Sequence, residues 1–568
     1  MINKLEVMPL RRAFLIFFLY TLLSALTIQL VILPFVIPGH HLGSGMLDSG
    51  DWILYQELAL EALEVIEKKG WSYWELRPKG FGLVGIISAI YGATGISKPY
   101  ILMPLFAIIN AAGAISIVFM IQSLGVKKFS ALLSAIPFLI FPSSLLWTSQ
   151  ILKEVFSING SLLIICGIVY LFSSLKIGEL RKTVTVQFYS FLSIITGFSL
   201  IWIVRGYQVE LYVLFLIFIL FFLNLLLLIY LTKGKIKILA AIFLVSIQYL
   251  IFLYSSFLNT SVNVIDVREE IGKNISFVTY SKLVTIDRLS SEQKSKVLKT
   301  SMNLDLLDAT IIELSKSLGL QDGMDPKEFL AIEKQILLEE AHQFHPTHTN
   351  LNKINEIEVA IDRQKSLTLS KINYSQNSNE EFLLPESFEA VPFTGDPSSR
   401  DWIESLYIPS FLDMKLKQLY LQRTYFYFVQ QNASSTVNFG LELNSFNEMI
   451  KYIPRALQLA FLSPFPTKWF SNGSASVSSL MYLITGFEMI FIYIFIIGAL
   501  FSMYKWRNKV ELWVIVCFST YNAIYPVYAF PNIGAIFRYR YAGIMMIAAL
   551  GVIGLIYLYK RKGNLSKI

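Results

Sequence analysis

The chain has 568 residues, of which 54% are hydrophobic and only 15% charged, with a net charge of +8 and a mean hydropathy of +0.56. A soluble globular protein of this length does not need so much apolar surface, so the composition predicts a polytopic membrane protein. The cations cluster at the ends of apolar segments, which membrane topology explains better than nucleic-acid binding does. Cys166 and Cys517 both lie in apolar runs, which predicts small core residues rather than a disulfide or a metal pair.

About ten apolar runs are long enough to cross a bilayer, for which a helix needs roughly 20 residues. The first run is too long for a signal peptide and lacks a clear small-residue cleavage site, which predicts an uncleaved helix. A shorter run at 81–95 is punctuated by glycine, which predicts a surface or re-entrant helix instead of a span. The predicted spans cover about 13–37, 101–124, 129–147, 155–175, 186–204, 207–231, 238–257, 478–503, 510–530 and 541–559.

The distribution of lysine and arginine sets the predicted orientation, because cytoplasmic loops carry an excess of both. If 81–95 were a span, the N-terminal cations would lie on the opposite face from all the later clusters. Without it, both termini are predicted to be cytoplasmic. One face then collects the basic clusters within residues 4–12, 127–128, 176–182, 233–237, 505–509 and 560–562.

This topology places two large polar regions outside the cytoplasm, at 38–100 and 258–477. The second region lacks a spanning run, and its apolar periodicity predicts mainly helical structure. The helical patterns cover 290–340, about 401–432, and 443–462. The predicted organisation is an N-terminal transmembrane module with the first outer loop (1–257), an extracytoplasmic domain (258–477) and C-terminal transmembrane helices (478–568).

The first outer loop holds two acids, Asp48 and Asp51, just after a membrane exit. An outward carboxylate in a partly dry site can take the proton from an acceptor hydroxyl as it attacks a sugar carbon. It can also help to hold a divalent metal ion. A structural alternative stays open, because Asp51 begins a helical pattern with Tyr55 on one face and could simply cap that helix. Asp48 could do the same for a turn.

Cations on the predicted outer face are informative, since the positive-inside tendency opposes them. Guanidinium and ammonium groups match the phosphate or pyrophosphate of a polyprenyl carrier in charge, and arginine also matches it in bidentate geometry. Snorkelling at the membrane interface is the alternative interpretation. Arg205 and Arg538 are the leading candidates outside the first loop. The outer cations next to span ends are Arg77, Lys79, Lys98, Lys153, Arg205, Arg538 and Arg540.

Acids near or within spans need a partner or a polar cavity, because charge is costly there. Glu154 and Glu488 are such acids, and Glu488 is the deeper of the two. Pairing with an arginine from another helix would give Glu488 a structural role, and a catalytic role is the alternative.

The sequence offers one histidine cluster that could bind zinc. Its three members recur every third residue, but Pro346 interrupts the helix that would align them. A solvated loop is therefore the favoured interpretation of His342, His345 and His348.

Several of these residues occur in patterns that resemble the polyprenyl-phosphate-dependent glycosyltransferases of the GT-C fold. The first outer loop reads G-D-x-x-x-Y-x-x-L-A from Gly50 and is followed by R-P-K-G and Y-G-A-T-G-I-S. The segments P-S-S-L-L-W-T-S-Q-I-L-K-E at 142–154 and R-Y-R-Y at 538–541 add to the likeness. The resemblance is to the protein mannosyltransferase and aminoarabinose transferase branch, and it covers roughly 1–260 and 440–568.

The resemblance implies a catalytic aspartate at Asp51 and a lipid-phosphate contact at Lys79, with Arg77 beside it. It also implies a GT-C-like helix bundle in a bacterial inner membrane. The expected donor is a sugar on an undecaprenyl-phosphate-type carrier, and the acceptor would be a glycan, a lipid or a protein. A lipid-linked polysaccharide polymerase or ligase is a second interpretation, and a transporter or flippase is a third.

Overall fold

The apolar runs of the sequence form long helices in the computed structural model. The structure describes residues 9–48, 50–177, 179–233, 238–260, 402–429, 435–438, 441, 443–470 and 476–562. Within these ranges the protein is helical apart from irregular connections and one two-stranded antiparallel sheet, β1 (His41–Gly43) and β2 (Met46–Leu47). The prediction of an all-α polytopic membrane protein is confirmed.

The helices are numbered in chain order. The first ten are α1 (Leu10–Thr27, continued by π-helical turns over Ile28–Val36), α2 (Asp51–Lys69), α3 (Gly82–Thr94), α4 (Met103–Ser123), α5 (Lys128–Ser134), α6 (Ile136–Ile140), α7 (Pro142–Ser149), α8 (Glu154–Ser174), α9 (Leu180–Thr232) and α10 (Ile238–Thr260). The others are α11 (Ser410–Val429), α12 (Phe446–Leu462), α13 (Ser476–Lys505), α14 (Val510–Ala529), α15 (Ile533–Tyr539) and α16 (Tyr541–Lys562).

Eight of the helices in the described ranges are long and apolar enough to cross a membrane. A ninth span results if Lys128–Ile140 and Pro142–Ser149, which are bent by 63° against each other, cross together. Proline at the start of α7 has no amide hydrogen to continue the preceding helical ladder, which accounts for the break.

The 53-residue helix α9 is interrupted at Arg205, where φ is −147° and ψ is 63°. A straight helix of that length would measure about 80 Å, far more than one bilayer crossing requires. The break falls between the predicted spans 186–204 and 207–231. The two parts of α9 correspond to those two predicted spans.

Small residues bring the central helices close together. A Cβ atom on Gly197 of α9 would lie 2.5 Å from the carbonyl oxygen of Gly160 on α8. Only glycine permits this approach, which is typical of helix pairs in membranes. The close contact fixes α9 against α8, and Glu154 and Arg205 lie farther along the same pair of helices.

The first loop is fastened to the segment that precedes α8. The side chain of Gln150 accepts a hydrogen bond from the amide of Leu47 (3.2 Å) and donates one to the carbonyl of Gly45 (3.2 Å). The indole of Trp52 donates to the carbonyl of Leu47 (3.0 Å), so the start of α2 is held as well. These bonds place the first turn of α2 beside the start of α8.

Helix α3 corresponds to the glycine-punctuated run at 81–95. It has 13 residues and would be about 20 Å long, too short for a membrane crossing. It packs on α2, and seven of its 13 residues are buried. Its length confirms the prediction that this run forms a helix too short to span the membrane.

The chain forms two compact units, one within residues 1–263, 432–437 and 451–568 and the other within 264–431 and 438–450. In the second unit, Asp413 of α11 accepts hydrogen bonds from the indole of Trp402 (2.8 Å) and the amide of Ser405 (3.2 Å). Helices α11 and α12 lie within the helical patterns predicted at 401–432 and 443–462. The pattern at 290–340 and the three histidines lie outside the described residues.

A candidate site of two carboxylates and three cations

Four separated segments bring charged side chains to one place in the membrane unit. Asp51 opens α2, while Lys153 and Glu154 stand at the start of α8. Arg205 occupies the break in α9, and Arg538 lies in the short helix α15. All five were singled out from the sequence. They join into one cluster although up to 487 residues separate them along the chain.

Glu154 stands between the two arginines. The Nη2 atom of Arg205 donates to Glu154 Oε1 at 2.6 Å, and Nη1 of Arg205 donates to Ser157 Oγ at 3.0 Å. The Nη1 atom of Arg538 lies 3.7 Å from the same Glu154 oxygen. Charge-assisted bonds of this kind stabilise a buried carboxylate, which would otherwise be costly at a span end.

Asp51 holds the outer side of Arg538. Its Oδ2 atom accepts a hydrogen bond from Arg538 Nη1 at 2.7 Å. The helix cap is Gly50 and no side-chain cap bond is formed, so the interpretation of Asp51 as a simple cap of α2 is wrong. Asp51 still gains from the helix dipole, because it carries negative charge in the first turn.

The two ion pairs differ sharply in exposure. Glu154 and Arg205 are 1% and 6% exposed, whereas Asp51 and Arg538 are 50% and 35% exposed. A buried pair cannot exchange its partners for water, but a half-exposed pair can. The cluster therefore has a fixed inner pair and an accessible outer pair.

Aromatic rings support the cations of the cluster. The Lys153 ammonium lies 4.7 Å from the ring centre of Phe81 and 5.3 Å from that of Tyr55. The guanidinium carbon of Arg205 lies 4.1 Å from the ring centre of Tyr539, whose hydroxyl is hydrogen-bonded to that of Tyr207. Cation–π contacts of this kind stabilise a positive charge without neutralising it. The rings therefore leave the positive charge of Lys153 and Arg205 in place.

The pKa values of two side chains on the accessible side of the cluster, Asp51 and Tyr55, are shifted by their surroundings. The Arg538 guanidinium lowers the pKa of Asp51, and this effect outweighs the opposing effect of desolvation. Desolvation and the nearby Asp51 charge raise the pKa of Tyr55 well above its usual value. At neutral pH the site thus presents a carboxylate beside a phenol that keeps its proton.

Other residues that the sequence suggested lie apart from the cluster or have other partners. Asp48 lies 3.6 Å from His40 Nδ1, and the Arg77 guanidinium lies 5.3 Å from the ring centre of Trp202. Lys98 donates to Ser44 Oγ at 3.1 Å. For Lys79, the structure describes the backbone turn Pro78–Gly80 but not the side chain.

Arg540 is fully buried and donates to the backbone carbonyls of Leu459 (2.7 Å), Ala460 and Ser463. These carbonyls belong to the end of α12, whose last turn lacks intrahelical donors. Arg540 therefore ties α12 to the junction of α15 and α16, a structural role that the sequence did not suggest.

Glu488 is also fully buried, and its carboxylate accepts a hydrogen bond from the amide of Ser143 at the start of α7. In the described part of the chain it forms no ion pair, so an arginine partner is not found there. Its observed contact ties α13 to the break between α6 and α7.

The sequence did not suggest Ser157, Phe81 or Tyr539. Ser157 follows Glu154 by three residues, a spacing that places both on one helical face. Tyr539 adjoins Arg538, but its ring contacts Arg205, and no local pattern reveals that pairing. The described residues contain no group of three or more histidine, cysteine, aspartate or glutamate side chains arranged to hold a metal ion.

No family model, curated protein or solved structure matches this chain.

Proposed function

We propose that this protein is a membrane glycosyltransferase of GT-C type that takes its sugar from a polyprenyl-phosphate-type carrier. The observation that carries the proposal is the convergence of Asp51 with Lys153, Arg205 and Arg538 at one half-exposed site. Two of the helices that supply these residues, α8 and α9, are candidate membrane spans, so the site would lie within reach of a lipid-linked donor in the bilayer. The acceptor would be a glycan, a lipid or a protein.

The three cations suit the leaving group of such a reaction. When the bond between the sugar and the carrier breaks, negative charge grows on the carrier phosphate. Fixed cations that face the growing charge stabilise that transition state. Arg538 has the most accessible guanidinium, while Lys153 and Arg205 add positive charge behind it.

Asp51 suits the attacking side of the reaction. Its carboxylate is ionised at neutral pH, because the Arg538 charge lowers its pKa. A carboxylate within hydrogen-bonding distance of the acceptor hydroxyl can take its proton as the oxygen attacks the sugar carbon. The proton moves to Asp51, the new carbon–oxygen bond forms, and the carrier leaves as its phosphate.

The proposed setting is a bacterial inner membrane with both termini in the cytoplasm. The clusters of lysine and arginine support this orientation through the positive-inside tendency. In that orientation the site opens on the outer face.

The test uses purified full-length protein in liposomes that contain lipid-linked sugars extracted from the producing cells. Release of free carrier phosphate, measured by mass spectrometry, reports transfer whatever the sugar is. Asp51→Asn should lower the release rate by about 100-fold or more, the usual contribution of a general base.

Glu64→Gln is a matched control, because it removes one carboxylate from an exposed Glu64–Lys68 pair on the same helix. This control should release carrier phosphate at the wild-type rate. Wild-type activity in Asp51→Asn would contradict the proposal. Products longer than one added unit would identify a polymerase or ligase instead.

A further inference from the structure

Arg538 lies beside two carboxylates that differ in their distance from it and in their other partners. The same nitrogen, Nη1, lies 2.7 Å from Asp51 and 3.7 Å from Glu154. Glu154 is tied to Arg205 and Ser157 as well, so it has partners that remain if Arg538 turns away. The hydrogen bonds described for the Asp51 side chain are all with Arg538.

A phosphate group and a carboxylate are both oxyanions that bind the N–H groups of a guanidinium. A phosphate that takes the Nη1 N–H now bonded to Asp51 has to displace that carboxylate, and the two anions also repel each other. The outer pair is half-exposed, so water can replace each partner while the pair opens. The inner pair with Arg205 lacks that route because it is buried.

We infer that Asp51 and the phosphate group of a ligand compete for Arg538, so that phosphate binding displaces the Asp51 carboxylate from the guanidinium. The ligand class is a phosphate ester, and both a lipid-linked phosphate and free phosphate share that chemistry.

The charges of the cluster support this competition. The cluster places two carboxylates, Asp51 and Glu154, beside Lys153, Arg205 and Arg538. Loss of the Asp51 charge would make the electrostatic potential at Arg538 more positive. An incoming phosphate should therefore bind more tightly once that carboxylate is gone, although Asp51 is itself a proposed catalytic residue.

A consequence for the reaction rests on the proposed function. Asp51 paired with Arg538 is a poor base, because the guanidinium holds its proton affinity down. Once a donor phosphate takes over Arg538, Asp51 is free to accept a proton from the acceptor hydroxyl. The donor would then bind before the acceptor is activated, which limits reaction of the acceptor in the absence of a donor.

The experiment measures binding and needs no transfer. Full-length protein in lipid nanodiscs is titrated with undecaprenyl phosphate in one arm and with inorganic phosphate in another. Asp51→Asn should bind phosphate about two- to fivefold more tightly than wild type, since a partly exposed ion pair no longer has to open. Asp51→Ala should show the same gain, and Glu64→Gln should bind like wild type.

A gain with undecaprenyl phosphate alone supports a lipid headgroup as the ligand, and a gain in both arms supports a site that also accepts free phosphate. Equal or weaker binding by both Asp51 variants in both arms overturns the inference. Carrier release by wild type without such a gain would leave the proposed function standing and remove the competition. Tighter phosphate binding by the Asp51 variants without carrier release by wild type would support the competition and contradict the proposed function.

Discussion

The two ends of α8 carry acid–base pairs that are built very differently. At its last turn, Ser173 donates to Glu511 of α14 at 3.2 Å, and Lys176, two residues beyond the helix end, meets the same carboxylate at 2.7 Å. At its first turn, Glu154 joins Arg205, Arg538 and, through Arg538, Asp51. One end has one cation for one acid, and the other has a shared network with accessible charge.

This difference distinguishes an ion pair that joins two helices from a cluster that can bind a ligand. The Lys176–Glu511 pair is complete in itself, and Glu511 is only 2% exposed, so it joins α8 to α14 and offers nothing to a ligand. The cluster at the first turn holds more cations than carboxylates and leaves Arg538 accessible. An excess of positive charge at a span end destabilises the fold, but it favours the binding of an anion.

The largest expected effect on stability lies in the buried pair of the cluster. Glu154→Gln leaves Arg205 buried without its counter-ion, which should cost about 3–5 kcal/mol of unfolding free energy. Denaturant or thermal unfolding in detergent would measure it. The double variant Glu154→Gln with Arg205→Met should recover part of the loss. Wild-type stability in the single variant would show that the pair is not the fixed part of the cluster.

A smaller effect is expected at the other end of α8. Glu511→Gln should cost about 1–2 kcal/mol, because the buried amide keeps a partner in Ser173 and Lys176 can turn toward water. Carrier release should keep its wild-type rate in this variant. A loss of release at unchanged stability would break the distinction between the two ends.

The smallest effect is the pH dependence of the outer pair. The pKa of Asp51 is lower in the folded protein than in the unfolded chain, where an aspartate has a pKa of about 3.9. Its contribution to stability is therefore present above about pH 4 and is lost as the pH falls through the folded pKa. Since Asp51 is half-exposed, the contribution should stay below about 1 kcal/mol.

The measurement is the melting temperature of wild type and of Asp51→Asn between pH 3 and pH 8. We expect a constant difference from about pH 5 upward that shrinks below about pH 4. Glu64→Gln provides the baseline for an exposed carboxylate on the same helix. A difference that grows as the pH falls would contradict the lowered pKa.

The sequence predicted the membrane helices well because hydropathy is a local property. It also identified the charged members of the cluster, since a cation or an acid at an outer span end stands out against positive-inside topology. The break of α9 was visible as the gap between two apolar runs at Arg205.

The pairing of these residues could not be predicted from local patterns. Arg538 and Arg540 stand two residues apart in R-Y-R-Y, yet one faces Asp51 and the other is fully buried against the end of α12. Only the packing of α12 against the junction of α15 and α16 separates their roles. In the same way, no local pattern predicts that Glu488 accepts a hydrogen bond from the backbone amide of Ser143 instead of pairing with an arginine.

The most direct test of the account is a structure of the full-length protein in nanodiscs with undecaprenyl phosphate. We expect the phosphate within hydrogen-bonding distance of the Arg538 guanidinium, Asp51 released from that guanidinium, and the Glu154–Arg205 pair unchanged. A phosphate bound elsewhere, with the Asp51–Arg538 pair still closed, would contradict the assignment of this cluster as the donor site.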